Sequence, residues 1–232
     1  MTSTDLVGYR VEDGIAVITL DDGKANALGA AMTDAVNAAL DTAEADDAVG
    51  AIVIAGREGR FSGGFDLSVF QTGDIEAIGA MVDAGGVLVR RLYGGPKPVV
   101  AACTGHAVAA GALVLLGCDV RIGPDAPIKV GLNEVAIGLT LPRWAMIIAG
   151  DRLSFRHRQQ SVVNAKLYDG TGAVDVGFLD RAVEPASVMA EAMAEAATLA
   201  ALDGSAYAAT VRAFRRDTLD AMAADLRLDT ER

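Results

Sequence analysis

The chain has 232 residues, enough for one large core or for a core plus a small appendage, and with 52% hydrophobic and 5% aromatic residues its composition is typical of an alanine-rich globular protein. Its formal net charge of −11 excludes the broad basic surface needed to bind nucleic acid or an anionic membrane, although a local basic spot for a phosphorylated ligand is compatible with that charge. No apolar run reaches the length of about 18 residues that a membrane span requires.

Cys103 and Cys118 both lie in apolar runs and are predicted to be small core residues. The first residues, Met1 to Asp5, are polar and acidic and do not resemble a signal peptide. We therefore expect a protein of the reducing cytoplasm. His106 and His157 have no metal-ligand spacing with each other or with the cysteines, so no metal site is expected.

The first half of the chain has the pattern of an α/β protein with parallel strands. In chain order, apolar spacing predicts strands at 7–11 and 15–20, a helix at 32–43, a strand at 50–55, a helix at 75–92, a strand at 99–104, a helix from about 110, and short strands at 119–122 and 128–130. Asp13-Gly14 is a hairpin turn signal between the first two strands. Residues 56–67 are predicted to form a glycine-bearing loop.

From Asn133 onward the chain is predicted to be mainly helical. The predicted elements are a helix opened by Pro142, a helix at 153–165, a glycine-rich turn region at 169–177, and two late helices at 188–199 and 211–226. We expect an α/β core over residues 1–185 and a C-terminal helical segment over residues 186–232, which is too short to be an independent domain.

Two glycine-rich loops follow buried strands, where open α/β sheets usually bind ligands. Neither loop contains a dinucleotide-binding Gly-x-Gly-x-x-Gly, a phosphate-binding Gly-x4-Gly-Lys-Ser/Thr or a Gly-x-Ser-x-Gly nucleophile elbow. Together the two loops can aim backbone N–H groups at one oxygen and stabilise an oxyanion without a charged side chain. Glycines that merely form tight turns would give the same pattern.

The motifs of these loops resemble a known family. Phe-Ser-Gly-Gly-Phe-Asp-Leu at 61–67, together with Lys-Pro-Val-Val-Ala-Ala-Cys-Thr-Gly-His-Ala-Val-Ala-Ala-Gly-Ala at 97–112 and Cys-Asp-Val-Arg-Ile at 118–122, is similar to the two signatures of the crotonase (enoyl-CoA hydratase/isomerase) superfamily. Lys-Ala-Asn-Ala-Leu at 24–28 resembles its N-terminal element.

This resemblance covers residues 7–185. It implies an α/β fold, a crotonase-like spiral of ββα units, and an acyl-CoA thioester substrate with coenzyme A as part of that substrate rather than a separate cofactor. It also implies a homotrimer or hexamer packed through the helical segment at 186–232. From the net charge we expect no nucleic acid and no membrane as partners.

The same resemblance implies an oxyanion hole made of the backbone N–H groups of Phe65 and Ala110. The family usually has glycine at the second of these positions. The substrate-binding positions it implies are Lys24, Ala25, Gly63, Gly64, Asp66, Leu67, Gly111, Leu113 and Trp144. We expect the acyl chain to lie against Phe65, Leu113, Trp144 and the helix at 75–92, and Lys24 is the candidate for a coenzyme A phosphate.

The carboxylates decide the reaction that the resemblance implies. Hydratases of the family place one glutamate three residues after the second oxyanion residue, and here that position is Leu113. Their second glutamate corresponds to Glu134. Residues 130–144 are similar to the corresponding run of Δ3-Δ2-enoyl-CoA isomerases, whereas Pro142 stands where dienoyl-CoA isomerases carry an aspartate. A single carboxylate suits the shift of a double bond from C3 to C2, with Glu134 as the catalytic residue.

Two alternatives stay open at this point. An enoyl-CoA hydratase would need a substitute for the missing carboxylate, and Asp66, Asp74 or Glu76 could supply it if their loop folds inward. A non-catalytic acyl-CoA-binding protein would keep the two loops only to grip the thioester. Leu113 argues against the first alternative and Glu134 against the second. Because Glu134 lies between Leu132 and Ala136, we also expect burial to raise its pKa.

Overall fold

The computed structural model describes residues 6–228, so the polar segment Met1 to Asp5 and the last four residues lie outside the described part of the chain. The strands are β1 Val7–Glu12, β2 Ile15–Leu20, β3 Ala51–Gly56, β4 Gly59–Ser62, β5 Val99–Ala102, β6 Gly105–Val108, β7 Val120–Pro124, β8 Val130–Gly131 and β9 Arg181–Val183. The α-helices are α1 Ala30–Ala45, α2 Leu67–Gln71, α3 Ile75–Gly94, α4 Ala110–Gly117, α5 Arg143–Arg152, α6 Gly170–Val176, α7 Val188–Ala200, α8 Gly204–Phe214 and α9 Arg216–Asp225.

Two sheets organise the α/β fold. The large sheet has the strand order β1-β2-β3-β5-β7-β9, in which β1 and β2 form the predicted antiparallel hairpin and all later neighbours are parallel. The small sheet has the order β4-β6-β8 and is entirely parallel. All three strands of the small sheet therefore end at the same edge.

The strands of the large sheet bury both faces, as parallel strands with helices on each side do. Alternate residues of β3 show this, since Ile52 and Ile54 belong to the main core with α1 and α3, whereas Val53 packs with Ala192 of α7 on the other side. Helix α4 is buried over its whole length and packs against α3, α5 and the strands β4 and β6 of the small sheet. A helix that is apolar all round belongs in a core.

The C-terminal helices join the same body. Helix α7 packs on strands of the large sheet, and α9 packs against α5 and α3. The carboxylate of Asp119, at the start of β7, pairs with Arg215 at 2.7 Å and accepts a hydrogen bond from the Tyr207 hydroxyl at 2.9 Å. A role of residues 186–232 in trimer formation stays a prediction. No helix of residues 6–228 is long and apolar enough to span a membrane.

Short strands were missed in both glycine loops. The predicted loop at 56–67 contains β4, and the stretch between the predicted strand at 99–104 and the predicted helix from about 110 contains β6. Each strand has four residues, too few for an alternating apolar pattern to be visible. Gly105 is required where it stands, because a Cβ there would lie 2.0 Å from the carbonyl carbon of Gly59 on the neighbouring strand.

Three helical predictions also need correction. The predicted turn region at 169–177 contains helix α6, because Asp169 caps it by accepting the Gly172 N–H at 2.7 Å and Ala173 is buried. The predicted helix at 153–165 is a short 3-10 helix followed by a π-helix at Gln159–Val163. The predicted helix at 211–226 is interrupted at Arg215, where α8 ends and α9 begins.

Candidate active site

A cavity of about 280 Å³ opens where the three strands of the small sheet end. Its walls come from the segments that follow β4, β6 and β8, together with helices α2 and α3. The lining residues are Gly63, Phe65, Leu67, Phe70, Ile78, Val82, Ala109, Asn133, Glu134, Ile137, Leu139, Thr140 and Pro142. The cavity is thus mostly apolar with a few convergent polar groups, which is the usual character of a small-molecule site.

The loop after β4 is held in place by backbone hydrogen bonds. The Gly63 N–H donates to the Ala25 carbonyl at 2.7 Å, and the Gly64 carbonyl accepts the Leu28 N–H at 2.8 Å. Gly64 has a φ of +96°, a conformation that favours glycine, and a Cβ there would lie 2.8 Å from the Ala109 Cβ. The two glycine-rich loops therefore touch, and only a glycine permits that approach.

Two backbone amides at this contact have no acceptor. Ala109, with φ +50° and ψ −126°, directly precedes helix α4, and its carbonyl accepts the N–H groups of Ala112 and Leu113. Because Ala110 is the first residue of the helix, its N–H has no intrahelical acceptor. Within residues 6–228, neither this amide nor that of Phe65 donates a hydrogen bond. Two such N–H groups on adjoining loops are the donors that an oxyanion hole requires, and the assignment of that role to Phe65 and Ala110 stays a prediction.

Glu134 is the carboxylate at this cavity. It follows β8, begins a 3-10 helix at Val135–Ile137, and is only 6% exposed. Burial raises the pKa of its carboxyl to about 6, against a smaller lowering effect of its own backbone amide. Within the described chain, its buried Oε2 has no hydrogen-bond partner. An ionisable group of this kind at neutral pH is suited to accept and return a proton.

The other carboxylates considered for a hydratase do not reach the cavity. Asp66 caps α2, where it accepts hydrogen bonds from the Ser68 amide at 2.9 Å and the Ser68 hydroxyl at 2.7 Å. Asp74 caps α3 in the same manner and is exposed, as is Glu76. The loop that carries these groups does not fold inward, so the structure gives no second carboxylate to the site within residues 6–228.

The predicted substrate-binding residues divide into two groups. Gly63, Phe65 and Leu67 line the cavity, and the predicted acyl-chain helix contributes Ile78 and Val82. Ala25 and Gly64 lie directly beside the lining, through the contacts described above. Gly111 lies behind it, where a Cβ would approach the Ser62 carbonyl oxygen at 2.5 Å.

Three predicted contacts lie elsewhere. The Leu113 side chain is 0% exposed and belongs to the main core. Trp144 is also buried, with its indole packed against Gly86 of α3, and it does not line the cavity. Lys24 is exposed, and its carbonyl accepts a hydrogen bond from Arg57 at 3.1 Å. Leu113 and Trp144 were expected at the acyl chain because of their position in the sequence, but both point into the core.

Sequence reasoning missed several lining residues. Asn133 is the polar one, and its buried Oδ1 has no partner in the described chain. The feature of the sequence that could have pointed to Asn133 is its position next to Glu134. Phe70, Ile137 and Leu139 form apolar parts of the cavity wall. Phe70 lies three residues after the motif at 61–67, and Ile137 and Leu139 lie within the run 130–144, but nothing in the sequence singled them out.

Comparison with known proteins identifies the family. A family model for enoyl-CoA hydratase/isomerase matches residues 10–231. The chain belongs to the enoyl-CoA hydratase/isomerase family. This confirms the resemblance drawn from the loop motifs and the crotonase-type α/β fold.

Relatives within the enoyl-CoA hydratase/isomerase family carry both names. A probable enoyl-CoA hydratase of Bacillus subtilis is 29% identical over 210 residues, covering 84% of this chain and 80% of that protein. Two solved structures from Mycobacterium tuberculosis are each 44% identical. One is described as a probable enoyl-CoA hydratase (TM-score 0.93, covering 96% of this chain and 94% of that chain) and one as an enoyl-CoA isomerase (TM-score 0.92, covering 97% of each).

Proposed function

We propose that this family member moves the double bond of an enoyl-CoA from C3 to C2, with Glu134 as the proton shuttle. The observation that carries the proposal is that a buried carboxylate and the Phe65 amide line one cavity, with the Ala110 amide beside the lining residue Ala109, and that neither amide donates a hydrogen bond within residues 6–228. Hydration of a 2-enoyl thioester would need a second proton-transferring group. Leu113 occupies the position at which the family resemblance puts that group, and its side chain lies in the core.

The proposed reaction balances with a single carboxylate. Ionised Glu134 takes a proton from C2 of the 3-enoyl thioester, and the electron pair moves into the thioester carbonyl. The resulting oxyanion accepts hydrogen bonds from the Phe65 and Ala110 amides, which stabilise charge where it develops. The protonated Glu134 then returns its proton at C4, the carbonyl re-forms, and the new double bond lies between C2 and C3.

The surroundings of Glu134 support this role. Its raised pKa of about 6 leaves the carboxyl mostly ionised at pH 7 yet basic enough to remove a proton from carbon. The apolar side chains of Phe70, Ile78 and Val82 line the cavity and fit an acyl chain. The acyl group is thus the part of the substrate that the cavity itself would hold.

The decisive experiment offers purified protein 3-enoyl-CoA and 2-enoyl-CoA in parallel, with Glu134→Gln as the variant. We expect isomerisation by the wild-type protein and a fall in kcat of about 10²- to 10⁴-fold in the variant, the usual contribution of a general base. Water addition to 2-enoyl-CoA by the wild-type protein would favour a hydratase instead. Acyl-CoA binding with neither reaction would favour a non-catalytic binding protein.

We further propose a homotrimer or hexamer in the cytoplasm, with no cofactor beyond the coenzyme A of the substrate. Exposed apolar side chains at the two ends of α8 support an assembly, since Leu202, two residues before the helix, is 52% exposed and Phe214, its last residue, is 86% exposed. Light scattering on the purified protein tests this, and a monomer at micromolar concentration would contradict it.

A further inference from the structure

Ser62 is buried at the end of β4, directly before the loop that carries Phe65. Its side chain is fully buried, and its hydroxyl donates to the Asn26 carbonyl oxygen at 2.7 Å. The same hydroxyl oxygen accepts the Gly64 N–H at 3.2 Å. Ser62 therefore connects the peptide before Phe65 to a second segment of the chain.

That second segment is itself fixed. Asn26 is 0% exposed and has a φ of +52°. Its Nδ2 donates to the carbonyl oxygens of Leu20 at 2.9 Å and Phe61 at 3.1 Å, and its Oδ1 accepts the Asp22 N–H at 3.0 Å. Because every polar atom of this side chain is bonded within the fold, the Asn26 carbonyl is a rigid point of attachment for Ser62.

Ser62 also touches the other half of the oxyanion hole. A Cβ on Gly111 would lie 2.5 Å from the Ser62 carbonyl oxygen and 2.8 Å from the Ser62 Cβ. Gly111 follows Ala110 in the first turn of α4. Ser62 thus lies between the two segments whose amides must converge on one oxygen.

We propose that Ser62 is a positioning residue that sets the Phe65 amide relative to the Ala110 amide. The chain of contacts runs from the Asn26 carbonyl through the Ser62 hydroxyl to the Gly64 N–H, one peptide before the Phe65 N–H. Gly64 is then held from both sides, because its carbonyl, which shares a peptide plane with the Phe65 N–H, accepts the Leu28 N–H at 2.8 Å. Oxyanion stabilisation depends on donors held at the position of the developing charge, so a small displacement of one donor is costly. The inference rests on the proposed function in that a thioester oxygen must occupy this hole.

The kinetic test compares Ser62→Ala with Ser161→Ala. Ser161 is also 0% exposed and makes two hydrogen bonds of 3.0 Å, to the His157 carbonyl and the Tyr168 hydroxyl, and it does not line the cavity. We expect Ser62→Ala to lower kcat for isomerisation about 10-fold with KM changed less than about 2-fold. The Ser161→Ala variant should keep its kcat even if its Tm falls equally. Equal kcat in the two variants would overturn the proposal.

A spectroscopic test separates this inference from the isomerase proposal. Hexanoyl-CoA labelled with ¹³C at the thioester carbonyl cannot isomerise, and infrared difference spectra report the polarisation of its carbonyl when bound. We expect the wild-type protein and Ser161→Ala to lower the carbonyl frequency relative to free ligand, and Ser62→Ala to lower it less. Ser62→Cys, which keeps the side-chain size but is a weak hydrogen-bonding group, replaces the alanine variant if that one does not fold. If the Ser62 variants lower the carbonyl frequency as much as the wild-type protein does, the role of Ser62 alone is overturned. A wild-type protein that does not bind hexanoyl-CoA overturns the proposed function as well.

Discussion

Glu134 shows how one side chain can be costly to the fold and useful to the chemistry. Its carboxyl is 6% exposed and its Oε2 has no partner within residues 6–228, so folding removes it from water with little compensation. The same desolvation raises its pKa to about 6 and makes it a stronger base. Activity and stability should therefore both depend on pH through this carboxyl.

The first prediction concerns the pH dependence of activity. Because proton removal from C2 requires ionised Glu134, kcat/KM for isomerisation should rise from pH 5 to pH 7 with a midpoint near the pKa of about 6. Initial rates measured with 3-enoyl-CoA across that range check it. A profile that is flat there, or that has its midpoint near the ordinary glutamate value of 4.5, would contradict the assignment.

The second prediction concerns stability. A carboxyl whose pKa is 4.5 when unfolded and about 6 when folded destabilises the folded protein once ionised, by about 2 kcal/mol well above pH 6 and not at all below pH 4.5. Glu134→Gln should therefore increase the free energy of unfolding by up to about that amount at pH 8 and by much less at pH 4.5. Urea denaturation at the two pH values measures the difference, with the exposed Glu58→Gln as control. A gain that does not depend on pH would exclude this origin.

At the residue scale, the loop motifs predicted which segments surround the cavity. Phe65 and Glu134, which follow β4 and β8, line it, and Ala110 lies next to the lining residue Ala109. Their roles as oxyanion donors and proton shuttle stay predictions. The resemblance placed Trp144 at the acyl chain, but a position in a motif does not tell which buried side chains meet the cavity, and its indole packs against Gly86 of α3. Nothing in the sequence pointed to Ser62 or Asn133 except that each lies next to residues that the motifs singled out.

At the scale of elements, helix α4 depends on close approach to β4. Gly111 allows its first turn to reach Ser62, where a Cβ would overlap the carbonyl oxygen at 2.5 Å. The short strands β4 and β6 escaped sequence analysis because four residues do not establish a period. Helix α6 escaped it because Gly170 and Gly172 have low helix propensity, which the Asp169 cap and the burial of Ala173 outweigh.

We expect Gly111→Ala to separate packing from helix propensity. Alanine favours a helix over glycine, yet the overlap with Ser62 should destabilise the protein by about 1–3 kcal/mol and lower kcat by displacing Ala110. The matched control is Gly150→Ala in α5, where a new Cβ meets no atom within 4 Å and should stabilise by about 0.4–1 kcal/mol. Chemical denaturation and isomerase assays of both variants check this, and similar stability changes of the same sign would refute it.

At the scale of the whole molecule, Asp119 joins the C-terminal helices to the large sheet. Its carboxylate accepts the Val99 N–H at 2.7 Å as well as the bonds from Tyr207 and Arg215. The Arg215 guanidinium also lies 4.5 Å from the centre of the Tyr93 ring. The α/β order and the hairpin could be predicted from apolar spacing, but this attachment could not, because its partners are 88 and 96 residues from Asp119 in the chain.

Arg215→Ala should therefore leave a buried charge without its partner. The two side chains are only 11% and 10% exposed, and loss of one member of such a pair typically costs about 3–5 kcal/mol. The control is Arg10→Ala, which breaks a pair whose members are 51% and 55% exposed and should change stability by less than about 1 kcal/mol. Urea denaturation curves compare them, and an equally small loss in both variants would show that Asp119 does not anchor the helices.

The parallel small sheet delivers one chemical group from the end of each of its strands: an amide after β4, an amide after β6 and a carboxyl after β8. The first two belong to the main chain and persist through most side-chain substitutions, whereas the third is a side chain that one codon can replace. If the two amides bind the thioester oxygen as proposed, thioester binding and reaction type can be changed separately in such a scaffold. For enzyme engineering, the segment after β8 is then the place to introduce a new proton-transferring side chain while leaving the two amides unchanged.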